Sequence, residues 1–392
     1  MRVLHIGPFS GNSGDLFAYS SFQSTFLELV DSKSEFTNIN IREFYKNNQK
    51  RKFDLLMAEE INKYDVLIIG GGLYFDVRWN YSQTGTTLDM SKEFLDAIKI
   101  PVIFNSIGYA EPCQGTLSEN EQNEIFEKFR SFILDLSRRK NIMLTIRNDG
   151  SYQRIYDRFG KELADVFINI PDNGFYFDKT IQPIKFSESM KTIGMSLAND
   201  SFVKSENIDL NNFNSSMVEL IKMFIAKENA RIIFFPQIPK DIETIAQISS
   251  QLNEAEKRFH MVVAPYNTLD VYGAKQLVSY YKACDYCICM RLHANIIALQ
   301  NKIPTIGLSA AGLVSGERIQ ALYDNMGISE FSIQIDTTQM GIANELYSKF
   351  KLVKDCQAIY TAKIETAMNE IALGRQRYFS LIREFLKKRL EV

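Results

Sequence analysis

Short apolar runs alternate with helix-length amphipathic segments along this chain, and no other feature constrains its fold as strongly. Arg2 to Ile6, Val66 to Ile69, Val102 to Ser106 and Met143 to Arg147 form a first series of strand-like runs. Strands that alternate with helices are joined by crossovers, and crossovers build parallel sheets. A second series opens at Lys191 with Thr-Ile-Gly-Met-Ser-Leu and continues through Arg231 to Phe235, Met261 to Ala264, Tyr286 to Cys289 and Thr305 to Leu308. The expected fold class is therefore α/β, with the same sheet-and-crossover architecture built twice. A length of 392 residues exceeds one ordinary core and suits two.

Between the series, Asp178 to Ser189 is polar, contains Pro183 and has no clear period, which marks an inter-domain linker with a cleft beside it. The reading places an N-terminal domain over 1–180, a C-terminal one over 187–345, and a C-terminal helical segment over 346–392 that packs across both. That segment ends in Arg375 to Arg389, an amphipathic helix with a cationic face. Such a helix either packs with its charges in solvent or contacts an anionic membrane surface.

A formal charge of -2 excludes a protein that holds nucleic acid chiefly by neutralising phosphates, so an anionic ligand must be met by local charges. Residues 1–7 read as a buried strand rather than a signal peptide, and no apolar run approaches membrane-span length; a soluble, cytoplasmic protein is expected. Cys284, Cys287 and Cys289 crowd one apolar run. Two would share a strand face and no second cluster completes a metal site, so they read as buried thiols.

Ligands of open α/β sheets collect outside the carboxyl ends of the strands, which directs attention to the residues that follow each one. The first strand leads into Gly7-Pro-Phe-Ser-Gly-Asn-Ser-Gly-Asp15, where Asn12 and Asp15 lie on a glycine loop ahead of a helix N-terminus. A structural turn explains this loop as well as a ligand does. The run Tyr64 to Gly72 ends in three glycines, Gly70, Gly71 and Gly72, and Asp76 follows as a candidate general base. The glycines suit a sharp turn or tight packing as readily as a ligand. Arg147-Asn-Asp-Gly-Ser151 closes another strand, with Arg147 either paired to Asp149 or facing the cleft. Gln237 ends a strand in the second domain. The most informative segment runs from Tyr286 through Arg291, Leu292 and His293 to Pro304 and Gly307, where a strand stops at a cation and an imidazole opens a helix. A helix N-terminus favours anions, and the arginine fork matches carboxylate or phosphate. Of the other histidines, His5 lies inside the first strand and His260 precedes another, and both read as structural.

Gly11-Asn-Ser-Gly-Asp15, the triple glycine with Asp76, Arg147-Asn-Asp-Gly-Ser151, and Arg291-Leu-His293 through Pro304 and Gly307 occur in the order found in the polysaccharide pyruvyl transferase family, which the chain resembles over residues 1–310. The resemblance implies two Rossmann-like domains facing across a cleft, the GT-B-like architecture, with the acceptor on the first domain and the donor on the second. It implies transfer of a pyruvyl unit from phosphoenolpyruvate to two hydroxyls of one sugar, in a bacterial surface polysaccharide or a lipid-linked saccharide precursor, with no metal or other cofactor. Arg291 and Arg147 would then bind the donor's carboxylate and phosphate, His293 would be the acid, and Asp76, one residue closer to its glycines than is usual in the family, the base. Asn12, Asp15, Gly71, Gly72, Ser151, Gln237 and Leu292 would complete the binding residues.

The chief alternative is a GT-B-type glycosyltransferase using a nucleotide-sugar, with Glu317 as the carboxylate that would read a ribose; a catalytically silent polysaccharide-binding protein is a third reading. Tyr74, Trp79, Tyr81 and Tyr109 follow first-domain strands and either stack on acceptor sugars or fill the core.

Overall fold

The structure, a computed structural model, describes the chain apart from residues 49, 79–80, 113–116, 179, 187–188, 200–207, 312–315 and 391–392. The chain divides into two compact units, one of residues 1–10, 18–176 and 371–392, the other of residues 11–17 and 177–370. The division departs from the expected boundaries in two places: residues 11–17 join the second unit although both flanks belong to the first, and the C-terminal helix is divided at 370/371.

The first unit holds a six-stranded parallel sheet made of β1 (Arg2–Gly7), β2 (Glu35–Asn40), β3 (Val66–Gly70), β5 (Val102–Ile107), β7 (Ile142–Arg147) and β8 (Ile168–Ile170). A small separate ladder pairs β4 (Phe75–Asp76) with β6 (Tyr109–Ala110). The sheet order is β2-β1-β3-β5-β7-β8. β3 and β5 are buried along their whole length, as strands covered on both faces must be. Leu4, Ile6, Leu67, Ile69 and Phe104 face one core. Val3, Val66, Ile68 and Ile103 face the other, which is closed by Tyr378, Phe379, Ile382 and Leu386 of the last helix.

That helix, Gln357–Leu390, therefore uses its apolar face inside the protein from residue 371 onward. Arg375 pairs with Glu28, and Arg383 donates to the Leu29 carbonyl at 3.1 Å. Of the two readings of Arg375 to Arg389, the packing of its apolar face is what the structure describes. Among the described residues no helix is long and apolar enough to cross a membrane.

The second unit repeats the parallel sheet with β9 (Lys191–Ser196), β10 (Ala230–Phe234), β11 (Met261–Val263), β12 (Tyr286–Cys289), β13 (Thr305–Ala310) and β14 (Ser332–Ile335), in the order β11-β10-β9-β12-β13-β14. The chain lays β10 and β11 to one side of β9, then returns to lay β12 on its other side. In open α/β sheets such a reversal of strand order, at the carboxyl ends of β9 and β12, is where ligands bind.

Candidate active site

Ser196 and Cys289 are register partners at the end of β9 and β12, and Arg291 follows two residues later. Arg291 is the N-cap of a nine-residue helix, Leu292–Gln300, that is buried at every position. Asn295 fixes the turn: its Nδ2 donates at 2.9 Å to the carbonyls of both Cys289 and Arg291, and its Oδ1 accepts from the Tyr323 hydroxyl at 2.9 Å. Leu292 is buried, and His293 sits in the first helical turn with 7 % of its surface exposed.

Residues 11–17 are anchored on this same edge. Gly11 N–H donates to the Thr268 carbonyl at 2.7 Å, and Ser13 N–H donates to the Gln237 carbonyl at 3.0 Å. The Asn12 side chain accepts Gly14 N–H at 2.8 Å and so caps the helix Ser13–Leu29, whose first turn carries Asp15. Gly14 lies flat against the imidazole: a Cβ there would stand 2.5 Å from His293 Nδ1 and 2.7 Å from its Cβ. No side chain fits in that space, so the glycine is required by close approach to the histidine.

One residue absent from the sequence reading organises the arginine. Asp241 Oδ2 accepts the N–H groups of Gln237, at 2.8 Å, and Ile238, at 3.2 Å, and its other oxygen takes Arg291 Nη2. Burial pushes the Asp241 carboxyl above its ordinary range, while Arg291 and the two N–H groups pull it back. The sequence signal was Pro239 two residues ahead, since proline opens helices whose third residue often caps them. Gln237 is buried beside this pair.

The two arginines separate on exposure. The Arg291 side chain keeps 15 % of its surface open, whereas that of Arg147 keeps 2 % and is paired with Asp149 at 2.8 Å and Asp172 at 3.3 Å. Arg147 lies in the first unit as the centre of a buried ion-pair cluster, and a ligand could reach it only by displacing those pairs. Ser151 belongs to the same cluster, its hydroxyl bonded to Asp149 and accepting Tyr109 N–H at 2.9 Å.

Asp76 is buried, and Arg78 grips both its oxygens, Nε at 2.7 Å and Nη2 at 2.5 Å. A carboxylate so held is a weaker proton acceptor than a free one. Among the glycines beside it, Gly70 has φ +153° and a Cβ there would meet the Asn105 carbonyl oxygen at 2.1 Å. Gly71 has φ +86°, and Gly72 packs on the Tyr74 ring. Backbone geometry and packing account for all three.

His5 is fully buried, accepts from Gln23 at 3.0 Å on Nδ1, lies 3.4 Å from the Gly70 carbonyl on Nε2, and is lowered to about 4 by burial. It is a neutral structural imidazole. His260 contacts the Ala230 carbonyl at 2.8 Å. Cys284, Cys287 and Cys289 are buried free thiols, and burial pushes Cys284 and Cys289 well up. Among the described residues no three metal-ligating side chains gather.

The family model of the polysaccharide pyruvyl transferases matches residues 12–311, from the Asn12 cap to the end of β13. The chain belongs to the polysaccharide pyruvyl transferase family. No curated protein matches it in sequence. Solved structures of similar fold include a glycosyltransferase from Rickettsia africae, with a TM-score of 0.53 at 11% identity over 99% of this chain and 98% of that one. Another is S. aureus MnaA with UDP, with a TM-score of 0.52 at 9% identity over 97% of each chain. At such identities the likeness is one of fold. The family match is what carries the chemistry, and the pyruvyl transferase uses phosphoenolpyruvate as its co-substrate.

Proposed function

We propose that Arg291 and His293 are the donor-binding and acid groups of a phosphoenolpyruvate-dependent pyruvyl ketal transferase. In this reading the second unit is the donor side, the first the acceptor side, and both are Rossmann-like domains of the GT-B type. One observation carries the assignment: a partly open, carboxylate-oriented arginine and an imidazole in the first turn of a helix stand together after the carboxyl end of β12, at the strand reversal. Phosphoenolpyruvate carries two anionic groups, which the guanidinium and the positive end of helix Leu292–Gln300 are suited to hold.

The imidazolium of His293 gives its proton to the methylene carbon as a sugar hydroxyl attacks the adjacent carbon. The enol-phosphate double bond becomes a methyl group and a tetrahedral phosphoketal. Phosphate then leaves with its C–O bond electrons, and a second hydroxyl of the same sugar closes the ketal. The two hydroxyls lose two protons in all; one is matched by the methyl group and the other by phosphate. Asn295 holds the turn that sets this geometry and Asp241 orients the arginine.

Calorimetric titration with phosphoenolpyruvate, beside UDP-sugars as controls, tests the reading. Phosphoenolpyruvate should bind the wild type and lose affinity in Arg291→Lys, because an ammonium cannot reproduce the fork. His293→Ala should bind the donor but release no phosphate in the presence of acceptor. Binding of a UDP-sugar with none of phosphoenolpyruvate would reassign the site to glycosyl transfer.

A further inference from the structure

The first unit carries a surface cavity of about 520 Å³ lined by Tyr81, Lys46, Lys52, Gln83, Asp89 and the edges of Phe44 and Phe53, among others. Its size lies within the range of small-ligand sites, about 300–1,000 Å³. It opens at the carboxyl side of the sheet, since Phe44 ends the short turn directly after β2 and Tyr81 lies on the connection that leaves β3. Ligands of open α/β sheets collect on that side.

The cavity is built on a rigid frame. Phe44 and Phe53 stack beneath it with centroids 4.2 Å apart and planes inclined by 14°. Arg51 is tied to Glu43 at 3.3 Å and Glu60 at 3.0 Å, which fixes one wall. Gln83 lines the cavity from the hydroxyl-rich loop 82–88, closed on itself by Thr84 Oγ1 to the Leu88 carbonyl at 2.6 Å and Thr86 N–H to Ser82 Oγ at 2.9 Å. A loop that spends its buried hydroxyls on its own backbone holds its outer side chains in place.

We infer that this cavity is a saccharide-binding subsite that holds a sugar ring of the acceptor. Tyr81 is half-buried with the Lys46 ammonium over its ring at 5.2 Å, so one aromatic and one cation are presented together. Asp89 accepts Gln83 N–H at 2.9 Å on one oxygen, and its other oxygen has no hydrogen-bond partner among the described residues. An aromatic face for the C–H side of a sugar, with a carboxylate, an amide and ammoniums for its hydroxyls, is the chemistry that recognises a pyranose. Of the four aromatics noted in the sequence, Tyr74 and Tyr109 are buried core residues and Trp79 lies outside the described residues. Tyr81 is thus the one shown at a cavity.

The inference rests on the pyruvyl transferase reading for the identity of the sugar as acceptor, and the test separates the two. Methyl glycosides of glucose, galactose, mannose, N-acetylglucosamine and glucuronic acid are presented to the full chain at millimolar concentration, with binding read by saturation-transfer NMR. At least one should receive saturation, with affinity about tenfold weaker in Tyr81→Ala, the loss expected for one aromatic contact. Asp89→Asn, a surface change that does not threaten folding, should also weaken it, and phosphoenolpyruvate binding should be unchanged in both variants. No transfer to any of the five, or transfer that persists unchanged in both variants, overturns the subsite. Sugar binding without phosphoenolpyruvate binding leaves the subsite standing and removes the donor reading instead.

Discussion

The contact between Gly14 and His293 permits a perturbation whose size can be worked from the structure. In Gly14→Ala the new methyl group would stand 2.5, 2.7 and 2.8 Å from Nδ1, Cβ and Cγ of His293. Carbon–carbon contacts settle near about 3.5–4.0 Å, so the imidazole or the loop must retreat by roughly 1 Å. The loop is held by Gly11 to Thr268 and by Ser13 to Gln237, and the histidine by a fully buried helix, so neither side yields freely. Overpacking of this kind costs about 1–3 kcal/mol of stability. A displacement of about 1 Å in a reacting group costs about 10²-fold in rate. The expected outcome is a folded protein with turnover reduced about a hundredfold and an affinity for phosphoenolpyruvate within a few-fold of wild type, because Arg291 is not moved. Phosphate release in the presence of acceptor measures the first, calorimetry the second. Wild-type turnover in Gly14→Ala would refute the placement of His293 among the reacting groups.

Asp241→Asn should weaken phosphoenolpyruvate binding about tenfold by releasing the Arg291 fork, read as a calorimetric Kd; an unchanged Kd would deny Asp241 its orienting part. Arg147→Ala should cost about 3–5 kcal/mol in urea unfolding, since Asp149 and Asp172 both lose the guanidinium that compensates them in the buried cluster, while donor affinity stays constant. Lost affinity in a folded Arg147 variant would return that arginine to the site. His5, lowered by burial to about 4 from 6.5, is neutral in the folded chain where the unfolded chain takes up a proton. Its contribution is complete above about pH 6.5 and declines as pH falls toward about 4, by up to about 3 kcal/mol at 1.36 kcal/mol per unit. His5→Gln should flatten that decline, and an unaltered pH profile would show the imidazole charged in the fold.

Most of the strands legible in the sequence are buried on both faces, the edge strand β11 being the exception. Val66 to Ile69 and Tyr286 to Cys289 are continuous apolar runs because a central parallel strand meets helices above and below, and composition alone displays this. The strands β2, β8 and β14 were not read, and each is an edge of its sheet. Glu35–Asn40, with two of its residues carrying side-chain amides, has one face in solvent and no run to detect. At the candidate site, Arg291 and His293 drew attention in the sequence because strand end, cation and helix start follow one another within a few residues. Arg147 had the same local signal, a cation at a strand end, yet it is buried. What separates them is where their carboxylates come from: Asp172, twenty-five residues away, closes over Arg147, whereas Asp241 takes Arg291 from one side.

That difference explains why acidic partners decide which arginine can serve an anion. A guanidinium enclosed by two carboxylates is already neutralised, and a ligand must break both pairs to reach it. On the reading proposed above, the donor anion would instead meet Arg291, which Asp241 orients and whose side chain keeps 15 % of its surface open. The same logic applies to Asp76: with Arg78 on both oxygens it is the counterpart of Arg147, a charge already matched. The reaction nonetheless needs acceptors for two hydroxyl protons. In the proposed mechanism phosphate takes one of them as its C–O bond breaks and so departs as the dianion, while the other would pass to the imidazole left neutral once His293 has protonated the methylene carbon.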